Sequence, residues 1–176
     1  IRSASLRYFN AAGADHGGRI GEDHDPETHL IPLAIKAALG LAPPLTVYGT
    51  DYPTPDGTCI RDYVHVTDLA DAHLRVLDYL ARGESCRFNI GGGSGYSVRQ
   101  VMEEVERIGG HPVPHELGPR RPGDPPVLVA SSDRLRRLTG WTPRFNALSE
   151  IVRTAWAWHS THPHGFAGRV TAHAAD

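Results

Sequence analysis

The sequence predicts an α/β fold, and three observations carry that expectation. Short runs rich in strand formers, at Ser5–Phe9, Leu45–Tyr48 and Cys86–Ile90, alternate with longer stretches whose apolar residues recur at helical spacing. Ser97-Val98-Arg99-Gln100 opens one of those stretches as a capping box. The 19 glycines and 14 prolines among 176 residues imply many turns and long loops between elements.

Taken in order, Ser5–Phe9 reads as a buried strand that runs into the polar loop Asn10-Ala11-Ala12-Gly13, a place where functional residues gather. Leu30 to Leu41 is a helix with Pro32 in its first turn, Leu33, Ala34, Ala37 and Leu41 on its apolar stripe, and Gly40 at its end. Leu45–Tyr48 is a strand, and the loop from Gly49 to Gly57 follows it. After Tyr63-Val64-His65-Val66, Thr67 caps a helix that reaches Arg82 and stops at Gly83, with Leu69, His73, Val76, Leu77 and Leu80 near one face. Cys86–Ile90 is a further strand and ends in Gly91-Gly92-Gly93-Ser94-Gly95. Beyond Ser97, the residues Val98, Val101, Met102, Val105 and Ile108 continue a helix until Gly109-Gly110. Val113–Leu117 completes the strands, and Asp133–Leu138 and Leu148–His159 are two more helices. Residues 1–162 read as one folded portion without an internal linker, and 163–176 as an irregular tail.

Composition removes several function classes. A net charge of -2 gives no general attraction to polyanions, so a nucleic-acid surface has no support. Two cysteines, Cys59 and Cys86, without a CxxC pair argue against a disulfide scaffold or zinc knuckle and point to a reducing, cytoplasmic setting. No apolar run approaches the roughly 18 to 20 residues that cross a bilayer, so no membrane partner is expected. The chain also opens directly on a strand without an initiating methionine, as if residues belong upstream.

Several polar motifs invite chemistry and meet plainer explanations. Gly91–Gly95 lacks the Lys-Ser or Lys-Thr of a nucleotide-phosphate loop and reads as a structural or ligand-lining turn. No GxSxG elbow is present, and Ser97 is explained as a cap. The carboxylates Glu22, Asp23, Asp25 and Glu27 fit the positive start of the following helix as well as they fit glycoside chemistry. His65 lies in strand-like alternation and reads as a structural histidine; the histidines at 111, 115, 159, 162 and 164 have no zinc-site spacing, so no metal site is assigned. Arginines are more suggestive, because a guanidinium offers paired donors to phosphate oxygens. Arg61 precedes an anchored helix, and Arg120-Arg121-Pro122-Gly123-Asp124-Pro125-Pro126 stiffens two more with prolines. The residues alone leave two readings open: anion contacts, or ion pairs of Arg61 with Asp62 or Asp68 and of Arg121 with Asp124.

Five blocks occur in one order: Leu6–Ala14, His29–Pro32, Leu45–Thr58, Arg61–His73 and Arg120–Asp124. Together they resemble the C-terminal half of the UDP-glucose 4-epimerase family of extended short-chain dehydrogenases/reductases, from Ser5 to about Gly165. The resemblance implies part of an NAD-binding Rossmann fold joined to a small α/β substrate domain. It implies NAD as cofactor, UDP-glucose and UDP-galactose as substrates, a 4-keto sugar intermediate, and a homodimer as a form open to the complete enzyme. Residue by residue, it places Tyr8 beside the nicotinamide. It places Asn10, His29 and Leu30 along the diphosphate and sugar, Thr46 and Tyr48 at the uracil, and Arg61, Arg121 and Asp124 at the diphosphate and ribose. His29 replaces the asparagine of some members, and Leu128 replaces a bulky tyrosine that some carry near the sugar. The family's glycine-rich dinucleotide loop and Tyr-x-x-x-Lys pair do not occur in the chain, so no catalytic residue is assigned and the chain alone is expected to be inactive. A related UDP-sugar dehydratase or epimerase, or a truncated noncatalytic UDP-sugar-binding module, remain the alternative readings.

Overall fold

Strand β4 (Ile60–His65) is the hub of the molecule, because four of its six residues are buried and three other strands pair with it. A computed structural model of the chain describes residues 1–166, so residues 167–176 of the expected tail lie outside the described part. The first half of β4 is flanked by β6 (Gly95–Ser97), antiparallel, and by β8 (Val127–Leu128), parallel. Its second half pairs in parallel with β2 (Asn10–Ala12), in the register Asn10 to Tyr63 and Ala12 to His65. Two separate parallel pairs join β1 (Ala4–Arg7) to β5 (Cys86–Asn89) and β3 (Leu45–Tyr48) to β7 (His115–Gly118). The architecture is the expected α/β.

Helices cover these strands with two apolar clusters. Helices α1 (Leu30–Ala38), α3 (Val98–Gly109) and α5 (Leu148–Thr161) pack together, burying Ile31, Ile35, Val101, Val105, Ile151 and Val152 against β2, β3 and β4. Helices α2 (Val66–Arg82) and α4 (Asp133–Thr139) cover β1, β4 and β5 with Leu69, Val76, Phe88, Leu135 and Trp141. Emptying a fully buried site such as Ile35 costs about 2–5 kcal/mol, so each cluster alone decides whether its face holds. The expected capping box is present: Ser97 accepts from Gln100 N, and Gln100 accepts from Ser97 N.

The structure corrects several boundaries. The first strand stops at Arg7 because Tyr8 and Phe9 carry the chain from its pairing with β5 to a second pairing with β4; the expected loop at Asn10 is strand β2. Helix α1 ends at Ala38, and Leu41 is exposed beyond it; Ala34 and Ala37 of the expected stripe are buried, joined by Ile31, Pro32 and Ile35, while Leu33 is only partly buried. Thr67 does not cap α2. His65, the last residue of β4, does so by accepting from Thr67 N at 3.1 Å. The buried stripe of α2 is Asp68, Leu69, Ala72 and Val76, while Leu77 is 63% exposed, because seven residues of 3.6-fold helix carry the face only from Leu69 to Val76. After α5 the His162 ring stacks on Trp158 at 3.8 Å, and in the described start of the tail Phe166 N donates to Asp23 at 2.8 Å.

Candidate functional site

The cleft beside β4 is built by strand alternation. Arg61 and Tyr63 are two residues apart in β4, so their side chains leave it on one side; Cys59, just before the strand, continues the alternation, and all three line the cleft, about 510 Å³ in volume. Asn10 joins them from β2 and is fixed by donating its Nδ2 to Asp62 O at 2.7 Å. Thr46 and Tyr48 enter from β3, again at alternate positions. His29 and Leu30 stand at the start of α1, where the amides of Leu30 and Ile31 lack helical acceptors, His29 N donates to Glu27, Pro32 has no N–H, and the helix dipole favours an anion. Arg121 and Asp124 close the far wall from the proline-stiffened loop between β7 and β8. All eight residues expected on the substrate side therefore border one cleft.

Its electrostatics are organised by the two arginines. Arg61 is nearly buried, with its side chain 14% exposed; its Nη1 donates to Ile60 O at 2.7 Å and its Nη2 pairs with Asp124. Asp124 thus replaces both expected partners. Asp62 instead accepts from Gly92 N and Ala130 N, each at 2.9 Å, and Asp68 accepts from Arg144 N and Phe145 N. Nor does Arg121 pair with Asp124 as a structural ion pair; its guanidinium lies 4.1 Å over the Tyr48 ring, which holds it flat against the cleft wall while leaving its edge free.

Two further lining residues received no role from the sequence, although the alternation Cys59, Arg61, Tyr63 is itself a signal that they share a face. Burial pushes the Tyr63 phenol well above its ordinary range and the Cys59 thiol up as well, so neither carries charge near neutrality. Gly91 N donates to Ser132 Oγ at 2.8 Å and Gly92 N to Asp62 Oδ1, which makes the glycine run a structural turn whose first amides are already engaged. His65 is structural, as read. Its Nδ1 caps α2, its Nε2 meets Thr154 Oγ1 at 3.0 Å, and burial, aided by His16, depresses its pKa to about 4. Gly13, at φ 83°, lets the chain pass this ring, since a Cβ there would stand 2.7 Å from it.

Tyr8 is not with the others. It is 42% exposed on the lip of a second cleft of about 680 Å³, together with Phe9, Ile20 and Thr67. His29 borders both clefts and so marks their junction.

Such a cleft, on strands and helices of an α/β enzyme fold, belongs to a known class. The model of the NAD dependent epimerase/dehydratase family matches residues 1–91, and the chain belongs to that family. Within it, the similar proteins include UDP-glucose 4-epimerases. The chain is 52% identical over 167 residues to the UDP-glucose 4-epimerase of Halalkalibacterium halodurans, covering 94% of this chain and 50% of that protein. The crystal structure of UDP-glucose 4-epimerase from Bifidobacterium longum in complex with NAD+ and UDP superposes with a TM-score of 0.88 at 38% identity, over 94% of this chain and 49% of that one. The Brucella ovis enzyme in complex with NAD gives 0.86 at 47% identity, with 94% and 49% covered. The chain thus spans about half the length of the relatives it matches. Among the described residues, no helix is long and apolar enough to cross a membrane.

Proposed function

We propose that the cleft beside β4 is the UDP-sugar side of a complete UDP-glucose 4-epimerase that interconverts UDP-glucose and UDP-galactose with NAD. In this reading residues 1–162 are the C-terminal, substrate-binding portion, with late elements of the Rossmann domain. The observation that carries it is the convergence of Arg61 and Arg121 with Asn10, Thr46, Tyr48 and the start of α1 on one cleft. Arg61 and Arg121 hold the diphosphate through paired donors, Tyr48 and Thr46 face the uracil, Asp124 accepts from the ribose, and Asn10, His29 and Leu30 border the sugar side.

Bound NAD supplies a reversible hydride acceptor for sugar carbon 4. Of this chain's residues, Tyr8, half exposed on its own cleft, fits one face of a nicotinamide ring. The glycine run does not fit the cofactor's phosphates, because Asp62 and Ser132 already take the amides of Gly91 and Gly92. Neither Tyr63 nor His65 is placed to act as a sugar base: Tyr63 is buried with its phenol held protonated, and His65 is committed to Thr67 and Thr154. The chain contributes binding and orientation, and alone it is inactive.

Incubating the complete protein with UDP-galactose and separating the nucleotide sugars tests this. UDP-glucose formed without net oxidation is expected. Accumulation of a 4-keto-6-deoxy sugar would overturn the epimerase reading in favour of a dehydratase, and UDP binding without any turnover would overturn it in favour of a binding module.

A further inference from the structure

We propose that Glu22, His24, Glu27 and His29 form a binding site for one divalent transition-metal cation of the zinc class. The cluster shares His29 and Glu27 with the wall of the neighbouring cleft, but the proposal does not depend on the nucleotide reading of that cleft. The loop between β2 and α1 folds back so that one ligand atom from each of the four side chains lies within 4.8 Å of the others. His24 Nδ1 is 3.0 Å from Glu22 Oε1 and 3.9 Å from Glu27 Oε1, and His29 Nδ1 is 3.6 Å from Glu27 Oε1 and in contact with Glu22 Oε1. A tetrahedral cation with bonds of about 2.0–2.2 Å holds its donors roughly 3.4 Å apart, so these four separations bracket the requirement, and the Glu22–His29 pair must open to admit the ion.

Glu27 is the fixed member of the cluster. Its side chain is 6% exposed, and its Oε1, which faces both imidazoles, accepts from the amides of Thr28 and His29 at 2.8 and 3.0 Å. Its Oε2 faces Lys36 Nζ at 3.8 Å, an ion pair without a hydrogen bond, so a cation in the cluster meets this carboxylate through Oε1. Two imidazoles with two carboxylates suit zinc, cobalt or nickel better than calcium or magnesium, which take oxygen ligands. The loop is anchored, because Trp158 Nε1 donates to Glu22 O at 2.9 Å, while His24, about half exposed, leaves a path for entry.

The test uses the complete protein, stripped with a chelator and titrated with Co²⁺ while its visible absorption is followed. One Co²⁺ per chain is expected, with the strong visible bands of a four- or five-coordinate site, displacement by Zn²⁺, and a Kd at or below about 10 µM. His24→Ala and Glu22→Gln each weaken it at least about tenfold. The double variant His162→Ala/His164→Ala, which removes the competing histidines of the His-Ser-Thr-His-Pro-His segment, leaves it unchanged. Binding weaker than about 10 µM in the parent protein, unchanged binding in His24→Ala, or loss of binding in the tail variant would each overturn the proposal. His24 is half exposed, so circular dichroism should find that variant folded, and it carries the test even if Glu22→Gln fails to fold.

Discussion

Replacing Arg61 by alanine in the complete protein is the most direct test of the proposed nucleotide role of the cleft beside β4. The side chain spends Nη1 on Ile60 O and Nη2 on Asp124, which fixes the guanidinium and leaves its remaining N–H groups for a diphosphate. Charge-assisted bonds are worth about 1.5–3 kcal/mol each, and losing one of them weakens UDP by that much, or roughly 13- to 160-fold. Part of that loss has a separate origin. Asp124, stripped of its partner, presents an uncompensated carboxylate to the same cleft and repels the phosphates. Asp124→Asn in the Arg61→Ala background keeps an acceptor for the ribose and removes the charge, so it should recover about tenfold, roughly 1.4 kcal/mol. Arg61→Lys keeps the charge without the planar fork and should fall between the parent and Arg61→Ala. Calorimetry with UDP measures all four proteins, and thermal unfolding checks that each is folded. An Arg61→Ala protein that binds UDP within about twofold of the parent, or a double variant that recovers nothing, would refute the reasoning.

Acid should destabilise the fold through its buried histidines. His65 and His159 are both depressed to about 4, chiefly by burial, against about 6.5 in the unfolded chain, so the unfolded state binds more protons and stability is lost as pH falls from about 6.5 through 4. Each contributes at most about 3 kcal/mol, and His65→Asn, which keeps a cap acceptor but cannot titrate, should flatten the profile from urea unfolding across that window; an unchanged slope rejects the assignment. Gly91→Ala places a methyl group against Asp62 Oδ2 and Ala130 O and should cost about 1–3 kcal/mol in thermal unfolding, so an unaltered Tm would show that the turn yields freely. Ser97→Ala removes the acceptor of Gln100 N and the hydroxyl that pairs with Asp56, and a loss of about 1 kcal/mol is expected by urea unfolding; no loss would mean that the box is ornamental to α3.

Much of this was legible before any coordinates, wherever the determining interaction is local. The box at Ser97 and Gln100 spans three residues, and β3 and β5 announce themselves by strand formers between turns. Strands β6 and β8 could not be read so, because three and two residues become strands only by pairing with β4. The break at Tyr8 and Phe9 is likewise set by two partners far along the chain. At the site, the motifs pointed to Arg61 and Arg121 but not to their surroundings: Asp124 lies 63 residues from Arg61, and sequence proximity had suggested Asp62 and Asp68. The convergence of Glu22, His24, Glu27 and His29 depends on how one loop folds back, for which neither periodicity nor motif spacing carries a signal.

The hydrogen bond from Ala14 N to Thr154 Oγ1, which also receives His65, joins positions 140 residues apart. At a synthesis rate of about 5–20 residues per second, the ribosome needs roughly 7 to 28 s to travel between them. For most of that interval α1 stands without the helix that covers it, and the apolar faces of Ile31 and Ile35 wait for Ile151 and Val152. The cleft beside β4 is therefore completed late in translation, and its assembly depends on shelter for those faces until α5 has emerged.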